Sequence, residues 1–378
     1  MAAHEDQSAL SGRSVAVDAR YAKLRGTGIN RYLHHVVRLL VDAGADVTLL
    51  TNFSNEAFRG EYPHVSWRTF GNSRDIVWEQ VSLPRYIRRA RYDLYWAPAN
   101  RGIPLWPTGV TRKVFTLHDL VPLRLYRQYL LRRPLFAGLF FVWTISGVFR
   151  SNLVFTDSES SSSDLGALFH RSSIVVPPIF YDDISAMVES GRLDTICGGV
   201  LAGRSYLVYN GGFDPRKNVP QMLKGFGESL HARPDLLLVL MGPGHEVVTP
   251  LLDELRIGAA VIRTGYVSES VKVELLRHAA ALVYTSTYEG FGLPLLEAFA
   301  CGLPVITSAN SSLVETAGDA AVYADPFDPM SIAEAIRRVL DPEVASDLRK
   351  AGLRRMTAFD VIATRAAVVY QLQRLLAS

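Results

Sequence analysis

Twice along this chain a short apolar strand runs into a glycine-bearing loop and then a helix, and each time the alternation of strands and helices continues. Few architectures other than a parallel α/β sheet satisfy such a pattern, because parallel neighbours require a crossover connection, usually a helix. The first series starts at residues 15–18, VAVD, which lead into RGTGIN and then RYLHHVVRLLVDAG. There Tyr32, Val36, Leu39 and Leu40 share one helical face before a stop at Gly44. Further strands are expected at 47–50, 92–98, 113–119, 152–158 and 173–178. The second series starts at 205–212, SYLVYNGG, and continues with a helix over 219–230 and a strand over 236–242. A helix over 270–279, a strand at 281–286, the helix LPLLEAFACG and a strand at 304–308 complete it.

The expected fold is therefore α/β, with two Rossmann-like doubly wound domains facing across a cleft. A chain of 378 residues exceeds the roughly 100–200 residues of one domain, which agrees with two cores. The expected division is a first domain at 1–180, a linker at 181–204 and a second domain at 205–358. The linker mixes Asp, Gly, Ser and Arg without period. A final helix at 359–378 is expected to cross back to the first domain. Open α/β sheets bind ligands outside the carboxyl ends of their strands, so the expected site is the crevice those ends share.

Composition narrows the function classes. No apolar run reaches the roughly 18–20 residues of a membrane span, and the polar start MAAHEDQSALSGRS has no apolar core of a secretory signal. Two cysteines, Cys197 and Cys301, are too few for a disulfide framework or zinc cluster and suit a reducing, cytoplasmic setting. Residues 1–185 hold 22 Lys and Arg against 16 Asp and Glu, and the remainder 18 against 21. A basic first half fits nucleic acid, an anionic membrane surface or a phosphorylated ligand.

The chemistry concentrates in Tyr288–Glu297, YEGFGLPLLE. Gly290 and Gly292 let backbone approach a ligand closely, and Leu293 and Pro294 open a helix whose start offers free N–H groups to an anion or to hydroxyls. Glu289 falls in the loop and Glu297 about one turn inside the helix, so both can face one site from different heights. The plainer alternative makes Glu289 a dipole complement and Glu297 a solvated helix residue. Upstream, DPRKN places Arg216 and Lys217 at a strand-to-helix turn, where they suit an anionic ligand or simply begin a solvated helix. Gly26, Thr27 and Gly28 form another strand-to-helix turn whose N–H groups suit an anion. His118 and Asp119 end a strand; such a His is either a site residue or a structural hydrogen bonder, and Asp119 has no assigned role.

Tyr288–Ser308, YEGFGLPLLEAFACGLPVITS, closely resembles the E-x7-E region of nucleotide-sugar glycosyltransferases of family 4, of the GT-B type. GYVSESVKVELLRHAAALVYTS, SSLVETAGDAAVYADPFD and NGGFDPRKNVPQMLKGF are also similar to the family, as are VDARYAKLRGTGINRYL, FTLHDLVPL and FTDSESSSSDL in the first half. The resemblance implies that Glu297 holds the ribose hydroxyls and that Glu289 faces the transferred sugar. It places the backbone of Gly290, Phe291, Gly292 and Leu293 near sugar and diphosphate, Lys217 on the phosphate and His118 on the sugar. The family often has an Arg where this chain has Gly212, which leaves Arg216 as the candidate replacement.

The resemblance further implies retention of anomeric configuration by front-face attack, the departing phosphate taking the acceptor proton. No strong protein base is then needed, and no His–carboxylate dyad is evident in the sequence. With no Asp-x-Asp motif near the diphosphate residues, no metal and no other cofactor is expected. The subset with DPRKN and SANSSLVE is most similar to mannosyltransferases of surface polysaccharide assembly, which makes GDP-mannose the preferred donor, with a UDP-hexose or deoxysugar nucleotide as the alternative. The acceptor expected is a glycan or lipid-linked glycan. Residues 85–91, RYIRRAR, and the region 124–150, with 16 uncharged residues from Pro134 to Phe149, suit either a buried helix with a basic end or peripheral contact with an anionic membrane at its inner face.

Other classes fit less well. A nucleotide-sugar epimerase or dinucleotide oxidoreductase would show G-x-G-x-x-G, but the turn GTGINR lacks the third glycine and no acidic residue ends the next strand. Nucleic acid is not an expected partner, since the arginines are scattered without an aromatic RNA-binding signature.

Overall fold

The computed structural model describes residues 8–24, 27–109, 111–125, 131, 134–178, 199, 201 and 203–378. Gly26, most of the expected linker and the arginines at 127, 132 and 133 lie outside the described residues. The chain divides into two compact units, one made of residues 1–178 with 361–378, the other of residues 179–360.

The first unit carries seven parallel strands: β1 (Ser14–Asp18), β2 (Asp46–Thr51), β3 (Ser66–Thr69), β4 (Leu94–Ala97), β5 (Arg112–Leu117), β6 (Leu153–Thr156) and β7 (Ile174–Val175). They lie in the order β3-β2-β1-β4-β5-β6-β7. The inner strands are apolar because helices cover both faces: all four residues of β4 are buried, as are Val15–Asp18 of β1. The helix Gly28–Asp42 adds Leu33, Val36, Val37 and Leu40 to this interior. Each such side chain stabilises the fold by about 1.5–3 kcal/mol.

The helix Pro134–Arg150 is largely apolar on both of its faces. It turns Ala137, Phe140 and Val148 inward and leaves Leu135, Phe141, Val142 and Phe149 exposed. Of the two readings of this segment, the inward residues meet the one that buries the helix. Its inner face packs tightly on β5: a Cβ at Gly147 would lie 2.3 Å from the Phe115 ring. Among the described residues no helix is long and apolar enough to cross a membrane.

The second unit carries six parallel strands: β8 (Tyr206–Asn210), β9 (Leu237–Met241), β10 (Val261–Gly265), β11 (Ala281–Tyr284), β12 (Val305–Ser308) and β13 (Ala321–Ala324). Their order is β10-β9-β8-β11-β12-β13. In each sheet the winding reverses beside the first strand, between β1 and β4 and between β8 and β11. A doubly wound sheet opens a ligand crevice at such a reversal.

β3, β10 and β13 are absent from the strands expected from the sequence. All three are sheet edges, where only part of the strand is covered and residues such as Arg68 and Arg263 are exposed. The apolar runs of β3 and β10 are correspondingly broken, whereas that of β13, AVYA, is intact.

Candidate functional site

In the second unit the predicted residues gather at the β8/β11 reversal. After β8 the chain forms a single 3-10 turn, Pro215–Lys217, capped by Asp214, whose side chain accepts from the Arg216 N–H. Asn218 ends that turn in the left-handed region and donates its side chain to Thr285 O and Pro326 O, at 3.2 and 2.5 Å. The two cationic side chains are thereby fixed beside the end of β11.

The loop between β11 and the helix Leu293–Ala300 is clamped by the next helix, Ser311–Ala317. The Glu289 N–H donates to Ser311 Oγ at 2.9 Å, Ser312 Oγ donates to Glu289 O at 2.9 Å, and Thr316 Oγ1 donates to Phe291 O at 2.6 Å. Gly292 has φ +112°, a conformation that resists side chains. On the other side, Thr287 donates both its N–H and its hydroxyl to Arg216 O.

Glu289 is buried among cations. Its Oε1 accepts from Lys217 Nζ at 2.8 Å and from the Tyr284 hydroxyl at 3.0 Å, and its Oε2 accepts from Arg216 at 2.5 Å. Lys217 also donates to the Tyr284 hydroxyl. Burial raises the carboxyl pKa, but Lys217 and Arg216 outweigh it and bring the value down to about 2. Lys217 itself is lowered, by burial first and also by Arg216, against the pull of Glu289. Asp214 Oδ1 lies 3.9 Å from Arg216 Nε, so the cluster holds two cations and two carboxylates.

Glu297, also buried, forms a separate pair of contacts. Its Oε2 accepts from Asn210 Nδ2 at 2.7 Å and its Oε1 from Lys272 Nζ at 2.8 Å, and Lys272 also reaches Glu269 at 2.7 Å. Neither glutamate is the solvated residue of the plainer alternative, each keeping 6% exposure. Asn210, Lys272 and Tyr284 escaped the sequence reading. Asn210 and Tyr284 carry the one available signal, a polar atom at the carboxyl end of an apolar strand; Lys272 reads as a surface residue of an amphipathic helix.

In the first unit, His118 follows β5. Its ring keeps 12% exposure and its polar atoms are engaged on all sides. Nδ1 lies 2.8 Å from Asp157 Oδ2 and Nε2 3.1 Å from Pro98 O, the N–H donates to Asn100 Oδ1, and the carbonyl accepts from Ser161 Oγ. The expectation of no His–carboxylate dyad is therefore corrected: the partner lies 39 residues downstream, at the end of β6, where no local spacing announces it. Thr27 caps the helix Gly28–Asp42, its hydroxyl accepting from the Asn30 N–H and donating to Leu24 O, while Thr27 and Gly28 remain exposed. Asp119 accepts from the Val121 N–H. Among the described residues no group of three His, Cys, Asp or Glu could hold a metal ion.

The chain matches the family model described as Glycosyltransferase Family 4 over residues 26–182 and that described as Glycosyl transferases group 1 over residues 200–355. It is 34% identical to the O-antigen chain mannosyltransferase B of Escherichia coli in a match covering 51% of this chain and 52% of that protein, about half the length of either. It is 33% identical to a glycogen synthase of Mycobacterium tuberculosis across 95% of this chain and 94% of that one. Among solved structures, Anabaena HepE in complex with UDP-glucose is similar with a TM-score of 0.71 and 19% identity, covering 96% of this chain and 99% of that chain.

Proposed function

The chain belongs to glycosyltransferase family 4, with the two Rossmann-like units of the GT-B fold, and is a hexosyltransferase; on that premise we propose that it moves mannose from GDP-mannose to a hydroxyl of a glycan or lipid-linked glycan, with retention and without a metal. The observation that carries the reading is the half-buried cation pair Arg216 and Lys217 at the β8/β11 reversal, held beside a buried carboxylate eight positions ahead of a second one. A departing diphosphate needs compensating charge, which fixed cations supply without a metal. Glu297, held by Asn210 and Lys272, has acceptor lone pairs for the ribose hydroxyls. Mannose is favoured by the match to the O-antigen chain mannosyltransferase B. A UDP-hexose is the second reading, favoured by the likeness to a protein solved with UDP-glucose.

Thermal shift with GDP, UDP, dTDP, ADP and NAD⁺ added singly in the presence of EDTA tests this. GDP at about 100 times its dissociation constant is expected to add about 2.7 kcal/mol of stability, with a smaller gain in Glu297→Ala. A selective response to UDP replaces the donor; a response to NAD⁺ alone, or to none, defeats the reading.

The same proposal places the enzyme at the inner face of the cytoplasmic membrane. The helix Leu83–Ala90 and its cap expose Arg85, Arg88, Arg89 and Arg91, and Arg88 donates to Pro107 O at 2.8 Å, beside Trp106, which is 63% exposed. Arginine beside tryptophan suits an anionic lipid interface. The protein is expected to sediment with liposomes containing acidic lipid and much less with neutral ones; equal sedimentation removes membrane contact from the proposal.

A further inference from the structure

We propose that Asp157 is a positioning residue that keeps the His118 ring doubly protonated, so that His118 serves the transfer as a fixed positive charge and not as a base. Pro98 O can only accept, so the Nε2 facing it at 3.1 Å carries a proton. Asp157 Oδ2, 2.8 Å from Nδ1, accepts when ionised, so Nδ1 carries one as well. A ring that donates at both nitrogens is an imidazolium. Beside an ionised Asp157 a neutral ring would set a lone pair against one of these two oxygens, and the surroundings leave it little room to turn. Tyr32 meets it edge to face at 4.8 Å, and the backbone of His118 is bonded to Asn100 and Ser161.

The groups around the ring all act in one direction or not at all. The helix Gly28–Asp42 contributes the neutral Tyr32, whose hydroxyl pairs with Thr116 at 3.2 Å; β4 leads to the Pro98 carbonyl; β6 leads to Asp157; the next residue is Asp119. The charged groups acting on the ring are thus two carboxylates. Burial alone lowers the imidazole pKa, but Asp157, the Pro98 carbonyl and Asp119 outweigh it and the value stands above the ordinary 6.5. Such a charge is present below the raised pKa and lost as pH rises through it.

Because both nitrogens are engaged inside the unit, the exposed part of the ring meets a ligand through its charge. This role rests on the proposed function and on the resemblance that sets His118 on the transferred sugar: when the sugar–phosphate bond breaks, its electron pair passes to the phosphate oxygen, and a positive charge held at the sugar favours that anion. The acceptor proton leaves with the phosphate, so no step asks His118 to take one.

The test is a pH titration of the nine histidines by their ring carbon-proton NMR signals in the whole chain, without donor, with His118 assigned by its absence in His118→Asn. In the wild type the His118 signal is expected to stay in its charged position above the range where exposed histidines titrate. In Asp157→Asn, burial persists without its counter-charge and the midpoint is expected to fall below the ordinary value. Asp157→Glu, which keeps the charge, serves as the second variant should Asp157→Asn fail to fold, and is expected to retain a raised midpoint. A wild-type His118 that titrates at or below the ordinary value, or is indifferent to Asp157, overturns the proposal; so does a proton found on Asp157 with a neutral ring. The titration uses no substrate, so it stands or falls apart from the donor assignment. With the enzyme's donor and acceptor, Asp157→Asn is expected to lose about 100-fold in kcat with little change in donor KM and to move the alkaline limb of kcat to lower pH. An unchanged kcat profile beside a shifted titration would leave the dyad without a part in transfer and overturn that role.

Discussion

Glu289→Gln is expected to lose transfer activity and to bind nucleoside diphosphate more tightly than the wild type. The two effects have opposite signs because Glu289 shares its cations with the ligand. In the ligand-free chain Arg216 and Lys217 both bond to it, at 2.5 and 2.8 Å, and a diphosphate that takes these cations must compete with an anion already in place. Glutamine keeps the shape and removes the charge. A charge-assisted hydrogen bond contributes about 1.5–3 kcal/mol, so GDP affinity measured by calorimetry is expected to rise about tenfold or more. Turnover is expected to fall about 100- to 1000-fold, the order seen when a fixed electrostatic partner of the transition state is deleted. Affinity that falls along with rate would mean that Glu289 serves ligand binding and does not oppose it.

Acid provides a second view of the same carboxylate. Its folded value of about 2 lies below its ordinary 4.5, so its stabilising contribution is complete above about 4.5 and lost as pH falls toward 2. The difference corresponds to stability on the order of 3 kcal/mol. No change in Glu289 ionisation is expected between pH 6 and 8, which leaves any pH dependence in that range to other groups, His118 among them.

Lys272→Met is expected to destabilise the second unit by about 3–5 kcal/mol, the penalty typical of a buried ion left without its partner. Glu297 would then keep only Asn210 among its two strong contacts. Adding Glu297→Leu removes the stranded charge, and the double variant is expected to recover most of the stability in urea unfolding while binding donor no better than Glu297→Ala. A Lys272→Met variant within about 0.5 kcal/mol of wild type would show that water or Asn210 suffices, and the pair would lose its place in the account.

The sequence discloses what local periodicity can carry. Strands buried on both faces are unbroken apolar runs, and β1, β4, β8, β9 and β11 were legible for that reason. The edge strands β3 and β10 were not, because half-covered strands admit residues like Arg68 and Arg263 and lose the run, whereas β13, AVYA, kept its run and still went unread. The candidate site divides the same way. Arg216, Lys217 and Glu289 sit in loops and turns, and Glu297 in the helix that follows one, where glycines and spacing are visible in one short window. Asp157 and Lys272 owe their roles to partners 39 and 25 residues away, brought close by strand order, which no window contains. Thr27 shows the converse: a residue in a suggestive glycine loop whose hydroxyl is occupied in capping a helix.

The division of the chain into units has a consequence for how the protein is made. The second unit is continuous in sequence, but the first is closed by the last helix, Val361–Ala377, whose Val368 and Leu372 are buried. That helix bonds back to the start of the chain, Arg365 to Asp42 and Gln373 to Ala9. A ribosome adding about 5–20 residues per second therefore spends about 10–40 s making the intervening segment, roughly 180 residues, while the first unit waits without its final helix. The part synthesised first is completed last, and a chain released before Val361 would carry a finished second unit beside an unfinished first.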